Sequence, residues 1–198
     1  MRYLALGDSY TIGEGVADAE RWPVQLAARL RGEGIAIDEL QVIATTGWTT
    51  DELSAVMDAT PLTPPYDLVS LLIGVNNQYR GRSVDEYRGE FQRLLDRAIE
   101  LAGARSERVF VLSIPDWGVT AFGRQSGRDV AQIAHELDVY NAAARDLCGT
   151  REVAWVDITP LSRAFPDQVV SDGLHPSGKQ YRLWAAEAWL PVRGALYL

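Results

Sequence analysis

The feature that most limits how this chain can fold is its alternation. Five short apolar runs, at residues 2–6, 39–44, 67–73, 108–114 and 153–156, are separated by longer segments of helical period. Runs of that length read as strands, and strand–helix alternation with short connections predicts a parallel sheet covered by helices on both faces. The third run, Leu68-Val-Ser-Leu-Leu-Ile73, is nearly all apolar, as expected of a strand buried on both sides. At 198 residues the chain is long enough for one sizeable core, so a single α/β domain over 1–198 is expected.

Helices are expected at about 21–31, 51–59, 84–101, 128–148 and 177–189. Pro23 suits the first turn of the first, and Gly32 or Gly34 its end. Pro61 stops the second, and Ser83-Val-Asp-Glu86 has capping-box spacing before the third. Pro176 begins the last helix and Pro191 is expected to end it. Five strands favour the flavodoxin-like order 2-1-3-4-5, in which ligands bind beyond the carboxyl ends of the strands, where the order reverses. Ser9 follows the first strand, Thr45-Thr-Gly47 the second and Gly74-Val-Asn76-Asn77 the third, so all three should gather at one rim.

Charge narrows the partners. With 27 acidic and 19 basic residues the net charge is −8, which disfavours a protein that tracks nucleic-acid phosphates and gives no pull toward anionic membranes. No apolar stretch approaches the ~20 residues of a membrane span, so stable membrane insertion is not expected. The start of the chain has no basic-then-apolar signal pattern, and a cytoplasmic location is the expectation. One cysteine, Cys148, excludes an internal disulfide; it continues the apolar stripe of its helix and should be buried and inert. Oligomeric state leaves no trace in the pattern.

The chemistry-bearing residues lie near the two ends. In Gly7-Asp8-Ser9 a serine sits on the turn leaving the first strand; a serine is a weak nucleophile until a base accepts its proton. The same tripeptide also reads as a turn followed by a helix cap. Of the two histidines, His135 lies beside the apolar stripe of the fourth long helix and is expected at the surface. His175 lies in the loop Ser171-Asp-Gly-Leu-His-Pro176. A turn at Gly173 would swing the Asp172 carboxylate to the ring Nδ1–H, fixing the tautomer and stabilising an imidazolium. The other reading is a capping aspartate beside a solvated histidine. Acyl transfer further needs donors for a tetrahedral oxyanion, and the backbone N–H groups of Ser9 and Gly47 with the Asn76 amide are placed to serve. Gly47 and Asn76 are equally ordinary turn formers. No histidine and cysteine cluster has metal-ligand spacing, and Gly13-Glu-Gly15 lacks the Gly-Lys-Ser/Thr of a phosphate loop.

Gly7-Asp-Ser9-Tyr-Thr-Ile-Gly13, Gly47, Gly74-x-Asn76 and Asp172-x-x-His175, in that order, resemble the four blocks of the SGNH (GDSL-type) hydrolase family. The resemblance implies an α/β/α sandwich, a Ser9–His175–Asp172 triad, and an oxyanion hole from Ser9, Gly47 and Asn76. It also implies hydrolysis of a small-molecule ester through an acyl-serine, without metal or other cofactor. Two positions depart from the pattern. The third block usually reads Gly-x-Asn-Asp, and here Asn77 stands in place of the aspartate, which puts the local hydrogen bonding of that loop in question. Tyr10 stands where leucine or isoleucine is frequent, and either contacts substrate or packs beneath it.

Specificity should come from the loops around the rim. Segment 115–127, with Trp117 and Phe122, is long for its place and reads either as a movable wall or as a small packed cluster at the sheet end. Tyr10, Asn77, Trp117 and Phe122 are the expected substrate contacts. With no long apolar loop to form a tunnel, short acyl esters are expected, acetyl on a sugar among them, with lysophospholipids and thioesters as broader options. An acyltransferase using the same acyl-serine, and a non-catalytic binding protein that kept the turns, are the alternatives.

Overall fold

The computed structural model describes residues 1–196. Strands β1 (Arg2–Gly7), β2 (Glu39–Ala44), β3 (Leu68–Leu72), β4 (Val109–Leu112) and β5 (Ala154–Val156) form one sheet, all pairs parallel, in the order β2-β1-β3-β4-β5. Every residue of β3 and β4 is buried, as is β1 beyond its first residue. Strands dry on both faces need a layer on each side. On the described residues, α2 (Trp22–Gly32) packs against α9 (Gly178–Leu196), while α3 (Thr50–Ala59), α5 (Val84–Leu101) and α7 (Val130–Thr150) form a second group. The α/β sandwich and strand order read from the pattern are therefore those of the structure.

The capping signals act as read, with one exchange. Ser83 Oγ accepts from the Glu86 N–H at 3.2 Å, but Glu86 turns its carboxylate toward Arg82 rather than back to the cap. The reciprocal box forms instead at α3, where Glu52 accepts from the Thr49 N–H at 2.9 Å. Pro191 does not end the last helix: α9 continues through it to Leu196. Beyond the proline, Val192 is buried in the core, and just before it Arg29 of α2 lies over the Trp189 ring. Burying a valine contributes roughly 1.5–3 kcal/mol, which offsets half or more of the ~3 kcal/mol that a proline costs inside a helix.

Register positions the rim. Gly7 pairs with Ala44 on one side and Leu72 on the other, so β1, β2 and β3 end at one level and their following segments leave the sheet together. At Gly7 a Cβ would lie 2.2 Å from Thr11 Oγ1 and 2.5 Å from the Leu72 carbonyl oxygen. Only glycine lets the chain leave β1 this tightly. Four short helices that the pattern did not announce surround this rim and the next strand ends: α1 (Ser9–Ile12), α4 (Val75–Tyr79), α6 (Ala121–Gln125) and α8 (Thr159–Ala164). Among the described residues no helix is long and apolar enough to cross a membrane.

Candidate active site

Ser9 is the first residue of α1, and Asp8 caps that helix, its Oδ1 accepting from the Tyr10 N–H at 3.0 Å. Ser9 lines a cavity of about 230 Å³ at the carboxyl edge of the sheet. Gly47, Asn76 and His175 line the same cavity, so segments distant in sequence meet there.

His175 is held by its own loop. A bridge between Val169 and Pro176 closes the segment, and the Val170 N–H donates to the His175 carbonyl at 2.8 Å. Inside it, Asp172 Oδ1 accepts from the N–H groups of Leu174 at 2.8 Å and His175 at 3.0 Å. Asp172 Oδ2 lies 2.6 Å from His175 Nδ1. Partial burial pushes the Asp172 carboxyl up, but the His175 ring and the two backbone donors outweigh it and hold the group below its ordinary value. An ionised carboxylate there accepts a hydrogen bond from Nδ1–H, fixing the tautomer that leaves Nε2 free to accept a proton. Ser9 and His175 line one cavity, with no direct hydrogen bond between the hydroxyl and the imidazole. Such bonds are commonly long until substrate is bound.

Three potential donors belong to residues that line the cavity. The Ser9 and Gly47 N–H groups are taken up by no other group among the described residues. Asn76 Nδ2 donates one hydrogen to the Trp48 carbonyl at 2.9 Å, and its second is left for the cavity. Gly47 has φ +89°, in the left-handed region that glycine enters without strain. This set can polarise a carbonyl and receive the charge of a tetrahedral adduct.

Asn77 is a correction. Expected among the substrate contacts, it is fully buried and absent from the cavity wall. Its Oδ1 accepts from the Thr50 N–H at 3.1 Å and its Nδ2 donates to Thr50 Oγ1 at 2.6 Å, tying α4 to the start of α3. The reason is helical: Val75–Tyr79 is a helix, and at 3.6 residues per turn the neighbour of Asn76 points about 100° away.

The remaining expected contacts do line the cavity. Tyr10 is nearly buried, its ring 6.0 Å from that of His175 and 6.0 Å from that of Trp184, so it packs beneath the histidine and presents an edge. Trp117 is buried, its ring 5.4 Å from Tyr79 and 6.1 Å from Phe122. The indole N–H donates to Gln78 Oε1 at 2.9 Å, and Gln78 Nε2 donates to Glu136 at 2.6 Å. Arg128 lies 5.3 Å from the Trp117 ring centre and 5.7 Å from that of Tyr79. Segment 115–127 is thus a capped and pinned wall, with Asp116 and Thr120 closing its turns and the Phe122 N–H bonded to the Gly173 carbonyl. The packed-cluster reading describes it, and that cluster is also a cavity wall.

Sequence reasoning missed the Gln78–Glu136 link, because a buried glutamine on a five-residue helix leaves no periodic signal. It also missed the state of Asp8. Burial pushes that carboxyl up to about 7, the Tyr10 N–H drawing it back only in part, and its Oδ2 is buried without a partner. His135 is exposed, and burial of Cys148 pushes its thiol up to about 12. Among the described residues no three histidine, cysteine or acidic side chains group to hold a metal.

No curated protein matches the chain. Solved structures of similar fold include TesA, with TM-score 0.78 at 17% identity over 98% of this chain and 99% of that one. A lipase/acylhydrolase from Enterococcus faecalis has TM-score 0.72 at 21% identity, covering 98% and 95%. The acetyl xylan esterase AlAXEase has TM-score 0.72 at 18% identity, covering 96% and 98%. At such identities the likeness is one of fold. The sequence itself matches the model of the GDSL-like lipase/acylhydrolase family over residues 5–183, nearly the whole chain, and the protein belongs to that family.

Proposed function

We propose that the protein hydrolyses short-chain acyl esters through an acyl-serine on Ser9. One observation carries the reading: His175, paired with Asp172 at 2.6 Å, lines the same cavity as Gly47, Asn76 and Ser9, the first residue of α1. In this mechanism His175 Nε2 takes the Ser9 proton as Oγ attacks the ester carbonyl. The developing oxyanion is received by the N–H groups of Ser9 and Gly47 and by Asn76 Nδ2, and the imidazolium returns its proton to the departing alcohol. Water then repeats the sequence on the acyl-enzyme, releasing the acid.

Size supports the short-chain choice. A cavity of about 230 Å³ suits a small acyl group with part of its alcohol. Tyr79 and Phe122, packed on the buried Trp117, give a sugar ring apolar surface to lie on, which favours acetyl on a carbohydrate within that class. The fold shared with an acetyl xylan esterase points the same way.

The test is a panel of p-nitrophenyl esters of graded acyl length and an acetylated sugar, run with Ser9→Ala and a fluorophosphonate label. Turnover should be greatest at two to four carbons and fall by roughly 10⁴-fold or more in the variant. Wild-type protein that neither labels nor turns over any ester would overturn the reading. Acyl transfer to an added alcohol in preference to water would replace it with an acyltransferase.

A further inference from the structure

We infer that Arg80 is a positioning residue for the oxyanion donor at Gly47, an inference that rests on the esterase reading above. The residue follows α4 directly, and its guanidinium has two partners. Nη2 donates to the Gly47 carbonyl at 2.7 Å, and Nη1 donates to Glu52 Oε1 at 3.3 Å. The other oxygen of Glu52 is committed to the cap of α3, accepting from the Thr49 N–H at 2.9 Å and from Thr49 Oγ1 at 3.0 Å. Arg80 is therefore anchored at one nitrogen and holds the turn with the other.

The turn needs holding. Gly47, at φ +89°, has no heavy atom within 4 Å of where a Cβ would sit, so neither a side chain nor a close neighbour restrains its torsions. What restrains it is hydrogen bonding at both polar ends of the peptide that follows it: Arg80 takes the Gly47 carbonyl, and the Trp48 N–H donates to the Thr45 carbonyl at 3.3 Å. The next carbonyl, of Trp48, is taken by Asn76. One short helix thus supplies an oxyanion donor directly and, four residues on, the cation that fixes a second donor. An oxyanion hole works because its donors are aimed before charge develops. The donor N–H belongs to the peptide before Gly47 and the tethered carbonyl to the peptide after it, so the tether acts through the Gly47 torsions; released, they would let the N–H lose its aim.

Burial separates this role from a structural one. The Arg80 and Glu52 side chains are 44% and 41% exposed. An ion pair that open adds little to stability. Arg80→Ala should leave the melting temperature within about 1 °C of wild type while lowering kcat about tenfold, with KM changed less than about twofold. The second readout does not need turnover: ¹⁵N relaxation of the Gly47 amide should show a fall in order in the variant. A Gly47 amide as ordered as in wild type overturns the inference whatever happens to rate. So does an unchanged kcat, or a loss that falls on KM, which would make Arg80 a substrate contact. Wild-type protein without ester turnover sinks the esterase reading alone, and the relaxation measurement then decides the tether by itself.

Discussion

Two aspartates flank the cavity, one beside each member of the proposed proton-sharing pair, and their environments are opposite. Asp8, next to Ser9, is 1% exposed, with one oxygen on the Tyr10 N–H and the other unpartnered. Asp172, three residues from His175, has a side chain 43% exposed, with both oxygens occupied by the histidine and its loop. Burial drives the first carboxyl up, to about 7, while donors hold the second below its ordinary value. The difference separates two ways of placing a reactive group. The serine is set by the fold, at a crowded strand end where a near-neutral carboxyl is part of the packing. The histidine is set by local hydrogen bonds in an exposed loop. Substitution beside the first should register in stability, and beside the second in rate.

The largest effect should follow Asp172→Asn. An amide cannot accept both from the ring and from the loop, and it invites the wrong imidazole tautomer, so kcat for a short ester should fall roughly 10³–10⁴-fold. The melting temperature should stay within a few degrees, because the loop is exposed and its backbone bridge remains. A thermal midpoint that collapses with the rate would show that Asp172 holds the fold, and the contrast with Asp8 would disappear.

Asp8→Asn should act on stability through pH. A carboxyl whose folded value lies near 7, against about 3.9 in an unfolded chain, keeps in the folded state a proton that the unfolded state releases. Its contribution is fully present below about pH 4 and is lost as pH rises through 7, to a limit of about 4 kcal/mol. The paired carboxylates of Asp172, Asp51 and Glu52 are shifted downward and act in the opposite sense at lower pH. The informative quantity is therefore the difference, wild type minus variant, in urea-unfolding free energy at pH 4.5 and pH 8. Wild type should lose stability relative to the variant across that window. Parallel curves would mean that Asp8 is ionised throughout and that its unpartnered oxygen is solvated.

The same contrast explains what could be read in advance. Alternation and apolar content carry the sheet, because a strand buried on both faces must be apolar along its length, as Leu68–Leu72 is. Register then brings Ser9, Gly47 and Asn76 to one edge without further information. The loop Asp172-x-x-His175 was legible because its bonds span three residues. Side-chain direction on short helices was not legible: α4 has five residues, too few for a period, and Asn77 turns inward while Asn76 lines the cavity. Nor was Pro191 a stop, since this end of α9 packs on α2, Arg29 lying over Trp189 from 160 residues earlier. Polar links such as Glu136–Gln78–Trp117 join three elements that share no local pattern.

The smallest expected effect tests a third carboxyl, at a site where this chain has none. The family's third block usually carries aspartate at the position of Asn77, and here Glu90 accounts for the amide. Glu90 Oε2 accepts from Thr50 Oγ1 and lies 3.5 Å from Asn77 Nδ2. Asn77→Asp would lose the bond to Thr50 Oγ1 and set a second carboxylate against Glu90, whose side chain is 17% exposed. Arg82, 3.6 Å from Glu90, offsets part of the repulsion but is already shared with Asp51 and Glu86. The variant should lose ~1–3 kcal/mol at pH 8, several degrees in melting temperature, and recover on acidification as one of the two carboxyls takes a proton. Adding Glu90→Gln should restore most of the loss at pH 8, because the like-charge pair is then gone. A single variant as stable as wild type at pH 8 would mean that the buried site tolerates two adjacent carboxylates. The restriction of raised carboxyls to the serine's side of the cavity would then be without physical basis.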